Sequence, residues 1–77
     1  MGMSPSQLDH LDEIAQQVST GNYDGVGVLS TGERLYVALA ANSANLLARA
    51  DYTITQAIAR LGWDDTAELV ARWQYRE

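Results

Sequence analysis

The sequence predicts an all-α fold, a bundle of four to five short helices in one domain over residues 1–77. Helix-start signals are the first observation: a Ser, Thr or Asp precedes a Gln or Glu by three residues, ahead of apolar residues at helical spacing. They occur at Ser4 with Gln7, Ser30 with Glu33, Thr53 with Gln56, and Asp65 with Glu68. The second observation is length, because 77 residues leave room for a single domain. The third is that the strand-like run Val26–Leu29 has no second run with which to pair.

The first helix is expected from Pro5 to Thr20. Ser4 caps it, and Pro5 occupies the first helical position, where its missing amide costs nothing. Its apolar residues recur at helical spacing and form one stripe: Leu8, Leu11, Ile14, Ala15 and Val18. Gly21 suits a left-handed C-cap. The glycines that follow break any helix, and we expect residues 22–29 to form a loop packed onto the core through Tyr23, Val28 and Leu29.

Residues 31–50 permit one long helix or two helices interrupted at Asn42–Ser43. We expect the interruption, because Asn and Ser side chains compete for backbone hydrogen bonds. Thr53 is expected to cap a short helix that continues to Leu61 and ends at Gly62.

The last helix is expected over Asp65–Arg76, with Asp65 as its cap and Leu69, Val70 and Trp73 directed inward. The chain contains no Phe. We therefore expect both tryptophans, Trp63 and Trp73, to fill the core.

Composition excludes several protein classes. Without Cys there is no disulfide and no thiolate metal site, and this composition fits a reducing compartment. The apolar run 35–50 is too short and too polar to span a membrane, and no basic segment precedes an apolar run as in a secretory signal. We expect a cytoplasmic protein of bacterial or phage origin, and we interpret residues 1–3 as a disordered start or a cloning remnant.

Acidic charge is concentrated near the N-terminus. The net charge is −5, and residues 1–30 contribute four acids and no Lys or Arg: Asp9, Asp12, Glu13 and Asp24. Such a surface repels phosphate and attracts basic protein surfaces. The charge therefore argues against nucleic-acid binding.

Residues 53–73 resemble the helix-turn-helix of DNA-binding proteins, since two short helices meet at Gly62 with suitable apolar spacing. The resemblance implies a DNA-binding regulator that would use residues 53–76. It departs from the usual pattern at Ile58, the fourth residue before the glycine, where a small side chain is typical. The helix that would enter the major groove begins with Asp64 and Asp65, which face phosphates unfavourably. An ordinary corner between two helices is the favoured interpretation.

The sequence indicates no catalytic, metal-binding or cofactor-binding residues. His10 is the single His, and no Ser–His–Asp or Cys–His arrangement accompanies it. The segment that contains Gly25 and Gly27 does not match a phosphate-binding loop, because it lacks the third glycine, the Lys and the preceding strand. Three acids share a face of the first helix, which we interpret as solvated rather than metal-binding: Asp9, Asp12 and Glu13.

The functional expectation is a non-enzymatic interaction protein that docks to a protein partner. Tyr and Arg are frequent binding hot spots, and acids steer basic partners. The expected binding residues are Asp9, Asp12, Glu13, Arg72, Tyr75 and Arg76. Small size and acidity also suit an accessory or inhibitor protein of a phage or mobile element, of the anti-CRISPR or anti-restriction type. The alternatives are the helix-turn-helix regulator and an obligate homodimer whose second copy completes the core.

Overall fold

The computed structural model describes residues 2–75, which form five α-helices and contain no β-strand. The helices are α1 (Pro5–Ser19), α2 (Thr31–Ala40), α3 (Ala44–Ala50), α4 (Ile54–Leu61) and α5 (Trp63–Trp73). A 3₁₀ turn, Val26–Val28, lies between α1 and α2. The predicted fold class and helix number are confirmed. None of the described helices combines the length and apolar character that crossing a membrane requires.

Side-chain caps begin α1 to α4. Reciprocal capping boxes form between Ser30 and Glu33 and between Thr53 and Gln56, as predicted. Ser4 accepts a bond from the Gln7 backbone N–H at 3.2 Å, but the Gln7 side chain does not return to Ser4. It donates to the Glu33 Oε2 atom at 2.9 Å instead. This bond ties the start of α1 to the start of α2.

The predicted cap at Asp65 is wrong. Helix α5 begins two residues earlier, at Trp63, and its N-cap is Gly62 with φ +91°. Asp65 lies inside the first turn, where the helix dipole favours a carboxylate. Its Oδ1 atom accepts a bond from the Met3 backbone N–H at 2.7 Å. Met3, in the segment for which disorder was expected, is half-buried against the core.

The same C-terminal cap ends α1, α2 and α3. At the end of α2 it also produces the break between α2 and α3. The residues just past their ends have positive φ values of 95°, 53° and 64°, at Gly21, Asn42 and Asp51 respectively. In each case the backbone N–H of the following residue donates to the carbonyl oxygen five residues before it. The three distances are 2.9 Å for Asn22, 2.8 Å for Ser43 and 3.0 Å for Tyr52. This is the Schellman arrangement, which Gly, Asn and Asp adopt most readily. The predicted interruption at Asn42–Ser43 is confirmed.

Helix α2 is central, because it packs against α1, α3, α4 and α5. Four consecutive residues of α2 are buried: Leu35, Tyr36, Val37 and Ala38. The apolar stripe predicted for α1 is buried in full. In the connection between them, Tyr23 and Leu29 pack on the core as predicted, but Val28 is 87% exposed. The 3₁₀ turn directs Val26 inward in its place.

Candidate functional site

A buried carboxylate links α1, α2 and α5. Asp12 is only 7% exposed, and its Oδ1 atom accepts bonds from the Tyr36 hydroxyl and the Trp73 indole N–H, each at 2.7 Å. Its Oδ2 atom accepts a bond from the Arg72 guanidinium at 3.0 Å. We call Asp12, Tyr36, Arg72 and Trp73 the Asp12 cluster. These bonds satisfy both carboxylate oxygens inside the fold.

Burial and hydrogen bonding shift the pKa values of three groups in the Asp12 cluster. Burial raises the pKa of Asp12, but hydrogen bonds from Trp73, Tyr36 and Arg72 outweigh it and leave this pKa below its usual value. Burial, followed by the bond to Asp12, raises the pKa of Tyr36. Bonds to Asp9 and Asp12 raise the pKa of Arg72. A general acid or base needs a pKa near the working pH, and these shifts move each group away from it.

Exposed carboxylates surround Arg72. Its guanidinium also bonds Asp9 at 2.8 Å and Glu68 at 3.4 Å. Glu13 lines the same polar cleft, and Asp64 lies one helical turn before Glu68. We call Asp9, Glu13, Asp64 and Glu68 the acidic rim. Because Arg72 and Asp12 compensate each other, the rim has net negative charge.

An apolar strip lies on the solvent-exposed part of α5, beside the exposed Asp64 and Glu68. Trp63 is 83% exposed and Val70 is 50% exposed. Ala67 and Ala71, also exposed, follow Trp63 at spacings that share one side of the helix. We call Trp63, Ala67, Val70 and Ala71 the outer face of α5. Asp64 and Glu68 precede the two alanines by three residues each, so the acidic rim borders this face.

The exposure of Trp63 and Val70 corrects two predictions. Both were expected to face the core, as were Leu69 and Trp73, but of these four residues only Leu69 and Trp73 pack on it. Because α5 begins at Trp63, this residue is helical and lies seven residues before Val70, on the same side of the helix. That side is turned by about 100° from Leu69, which packs on the core.

The residues predicted to bind a partner occupy different environments. Asp9 and Glu13 are exposed, and Tyr75 is 88% exposed. Asp12 and Arg72 are not displayed as expected, because each is bound within the fold. Arg76 lies outside the described residues. Trp63 and Val70 were missed, although their helical spacing was present in the sequence.

The acids on α1 do not form a uniform solvated face, since Asp12 turns inward. Within residues 2–75, no group of three or more His, Asp or Glu side chains is arranged to hold a metal ion.

The connection between α4 and α5 consists of Gly62 alone. It is shorter than the three- to four-residue turn typical of a helix-turn-helix. Exposed Asp64 lies at the start of α5. The chain matches no family model, and no curated protein or solved structure is significantly similar to it.

Proposed function

We propose that this chain is a non-enzymatic docking module that binds a basic protein partner through the outer face of α5 and the acidic rim. The exposure of Trp63 carries the proposal. An indole side chain left in water forgoes the apolar burial that an interface provides. Trp is also among the residue types that contribute most to binding energy.

The partner's chemistry follows from the two parts of this surface. The outer face accommodates apolar side chains, and the small Ala67 and Ala71 allow a partner backbone to approach between Trp63 and Val70. The acidic rim attracts Lys and Arg at the edge of the contact, which raises the association rate more than the affinity. A basic nucleic-acid-binding surface of an enzyme is one such partner. Binding to such a surface would suit a chain that acts as an inhibitor of the anti-CRISPR or anti-restriction type.

Charge distinguishes this proposal from a homodimer formed through the same face. Each copy has a net charge of −5. A second copy packed on the outer face would bring two acidic rims together, and like charges across an interface oppose association.

Capture from the source cell with matched variants tests the proposal. We expect the same protein to be retained by the wild-type chain and by Val28→Ala, whose side chain is exposed on the 3₁₀ turn, but lost with Trp63→Ala. With the partner purified, Trp63→Ala should raise Kd by about 30-fold, the effect of losing a hot spot of about 2 kcal/mol. Asp64→Asn with Glu68→Gln should mainly lower the association rate.

Three results would contradict the proposal. The first is a partner that Trp63→Ala and Val28→Ala retain equally well. The second is a concentration-dependent dimer in sedimentation that Trp63→Ala dissociates. The third is tight, salt-resistant duplex DNA binding, since non-specific electrostatic binding weakens steeply with salt.

A further inference from the structure

A separate cavity of about 250 Å³ lies between the 3₁₀ turn, α2 and α3. Its apolar lining consists of Val26, Leu46 and Ala50. Arg34 from α2 and Arg49 from α3 also line it, together with Tyr23. We call it the Arg34–Arg49 pocket. None of its residues belongs to the outer face of α5 or to the acidic rim.

Among residues 2–75, no carboxylate forms an ion pair with either guanidinium group of this pocket. Every ion pair among residues 2–75 involves Arg72, so neither Arg34 nor Arg49 is neutralised there. In a chain with twice as many acids as bases, this pocket concentrates two uncompensated positive charges. Guanidinium groups have five N–H donors each, and most of these remain available.

Contacts with the protein hold both arginines in place. An Arg34 Nη atom donates to the Gly27 carbonyl oxygen at 3.3 Å. Arg49 lies over the Tyr23 ring, with 5.5 Å between its Cζ atom and the ring centroid. Hydrogen bonding of the Tyr23 hydroxyl with Ser43 and then Asn45, together with the charge of Arg49, lowers the pKa of Tyr23. The arginines are therefore partly preorganised, which reduces the entropy lost on binding an anion.

We propose that the Arg34–Arg49 pocket binds a small phosphate monoester, with its dianionic phosphate on the two guanidinium groups and its carbon atoms on Val26, Leu46 and Ala50. Two positive charges match a dianion, and the planar Arg fork fits phosphate oxygens. The cavity volume lies below the range of drug-sized ligands, so the organic part must be compact. The phosphate contacts come from side chains, unlike those of a glycine-rich phosphate-binding loop.

An NMR titration of the full chain with phenyl phosphate tests the proposal. We expect saturable shifts of the Gly27 and Ala50 amides, with a Kd of about 1 mM or tighter. Arg34→Gln and Arg49→Gln should each raise Kd by about fivefold or more, because each removes one charged donor group. Arg60→Gln is the matched control, since Arg60 is exposed on α4, outside the pocket. It removes the same charge and should change Kd by less than about twofold.

The same titration separates the phosphate contacts from the apolar contacts. Inorganic phosphate should bind the same residues more weakly than phenyl phosphate, and phenol should bind negligibly. Arg34→Lys and Arg49→Lys keep the charge without the fork and should fall between wild type and the Gln variants. If a Gln variant does not show the NMR spectrum of a folded protein, the corresponding Lys variant replaces it in the comparison.

The proposal is overturned by the absence of saturable shifts up to about 20 mM phenyl phosphate. An Arg60→Gln variant that raises Kd as much as Arg34→Gln and Arg49→Gln would also overturn the proposal, because overall charge would then explain the effect. So would phenol binding as tightly as phenyl phosphate.

Discussion

The carboxylate of Asp12 receives a phenol, an indole and a guanidinium donor from α2 and α5. Charge-assisted bonds of this kind offset the cost of taking a carboxylate out of water. Asp12 follows Leu8 by four residues and precedes Ala15 by three, so its place on the buried stripe of α1 was visible in the sequence. Its spacing to Asp9 and Glu13 fitted a solvated face equally well. Only the donors on distant helices decide between the two.

At this scale we predict that Asp12→Asn destabilises the fold by about 2 to 3 kcal/mol. The amide oxygen can still accept bonds from Tyr36 and Trp73, but the amide nitrogen faces the Arg72 donor and leaves it unsatisfied. The measurement is urea unfolding followed by circular dichroism. Asp9→Asn is the control, because exposed ion pairs contribute about 1 kcal/mol or less. An equal loss of unfolding free energy in the two variants would show that the buried bonds of Asp12 contribute no more to stability than an exposed ion pair.

Among the helices, those that begin with a Ser or Thr cap start where the sequence indicates, whereas α5 does not. Its cap is Gly62, which provides no side-chain acceptor. Asp65, the acceptor expected for this role, bonds Met3 instead. The two-residue change in the start of α5 places Trp63 within the helix. The proposed docking surface depends on this helix start.

The cap of α4 allows a prediction for one element. Thr53→Ala should lower the free energy of unfolding by about 1 kcal/mol, because the Gln56 amide loses its acceptor, while the fold is retained. Thr55→Ala is the matched control: it makes the same change inside α4 at an exposed position, where Ala has the higher helix propensity. Urea midpoints compare the two. A loss from Thr55→Ala as large as that from Thr53→Ala would exclude capping as the cause.

For the whole molecule, stability depends on contacts that join α1 to the other helices. The carboxylates of Asp12 and Glu33 both make such contacts. The pKa of Glu33 is lowered chiefly by the Ser30 backbone N–H and then by Gln7. The pKa of Asp12 is lowered by the donors of its cluster. Both carboxylates therefore stabilise the folded chain in their ionised form.

These shifts predict an acid-sensitive fold. Unfolded Asp and Glu have pKa values of about 3.9 and 4.3, so the unfolded chain binds protons first as the pH falls. The stabilisation is fully present above about pH 5, and it is lost as the pH falls through the lower folded-state values. Urea midpoints measured from about pH 6 to pH 2 should show this decline. Asp12→Asn and Glu33→Gln should each make it shallower, and an unchanged slope in both would contradict the assignment.

The sequence by itself determined the all-α class, the apolar stripe of α1, the capping boxes at Ser30 and Thr53, and the break at Asn42–Ser43. Each depends on residues within about one or two helical turns, where hydrogen-bond geometry follows directly from spacing. Tertiary structure decided which of several available partners a side chain took. Gln7 bonds Glu33 rather than its own cap, and Asp65 bonds Met3. Asp12 is buried beneath donors from α2 and α5, and Arg34 and Arg49 line one pocket only because α2 and α3 pack together. Local spacing cannot rank these choices, because their free energies depend on burial and on groups far away in the chain.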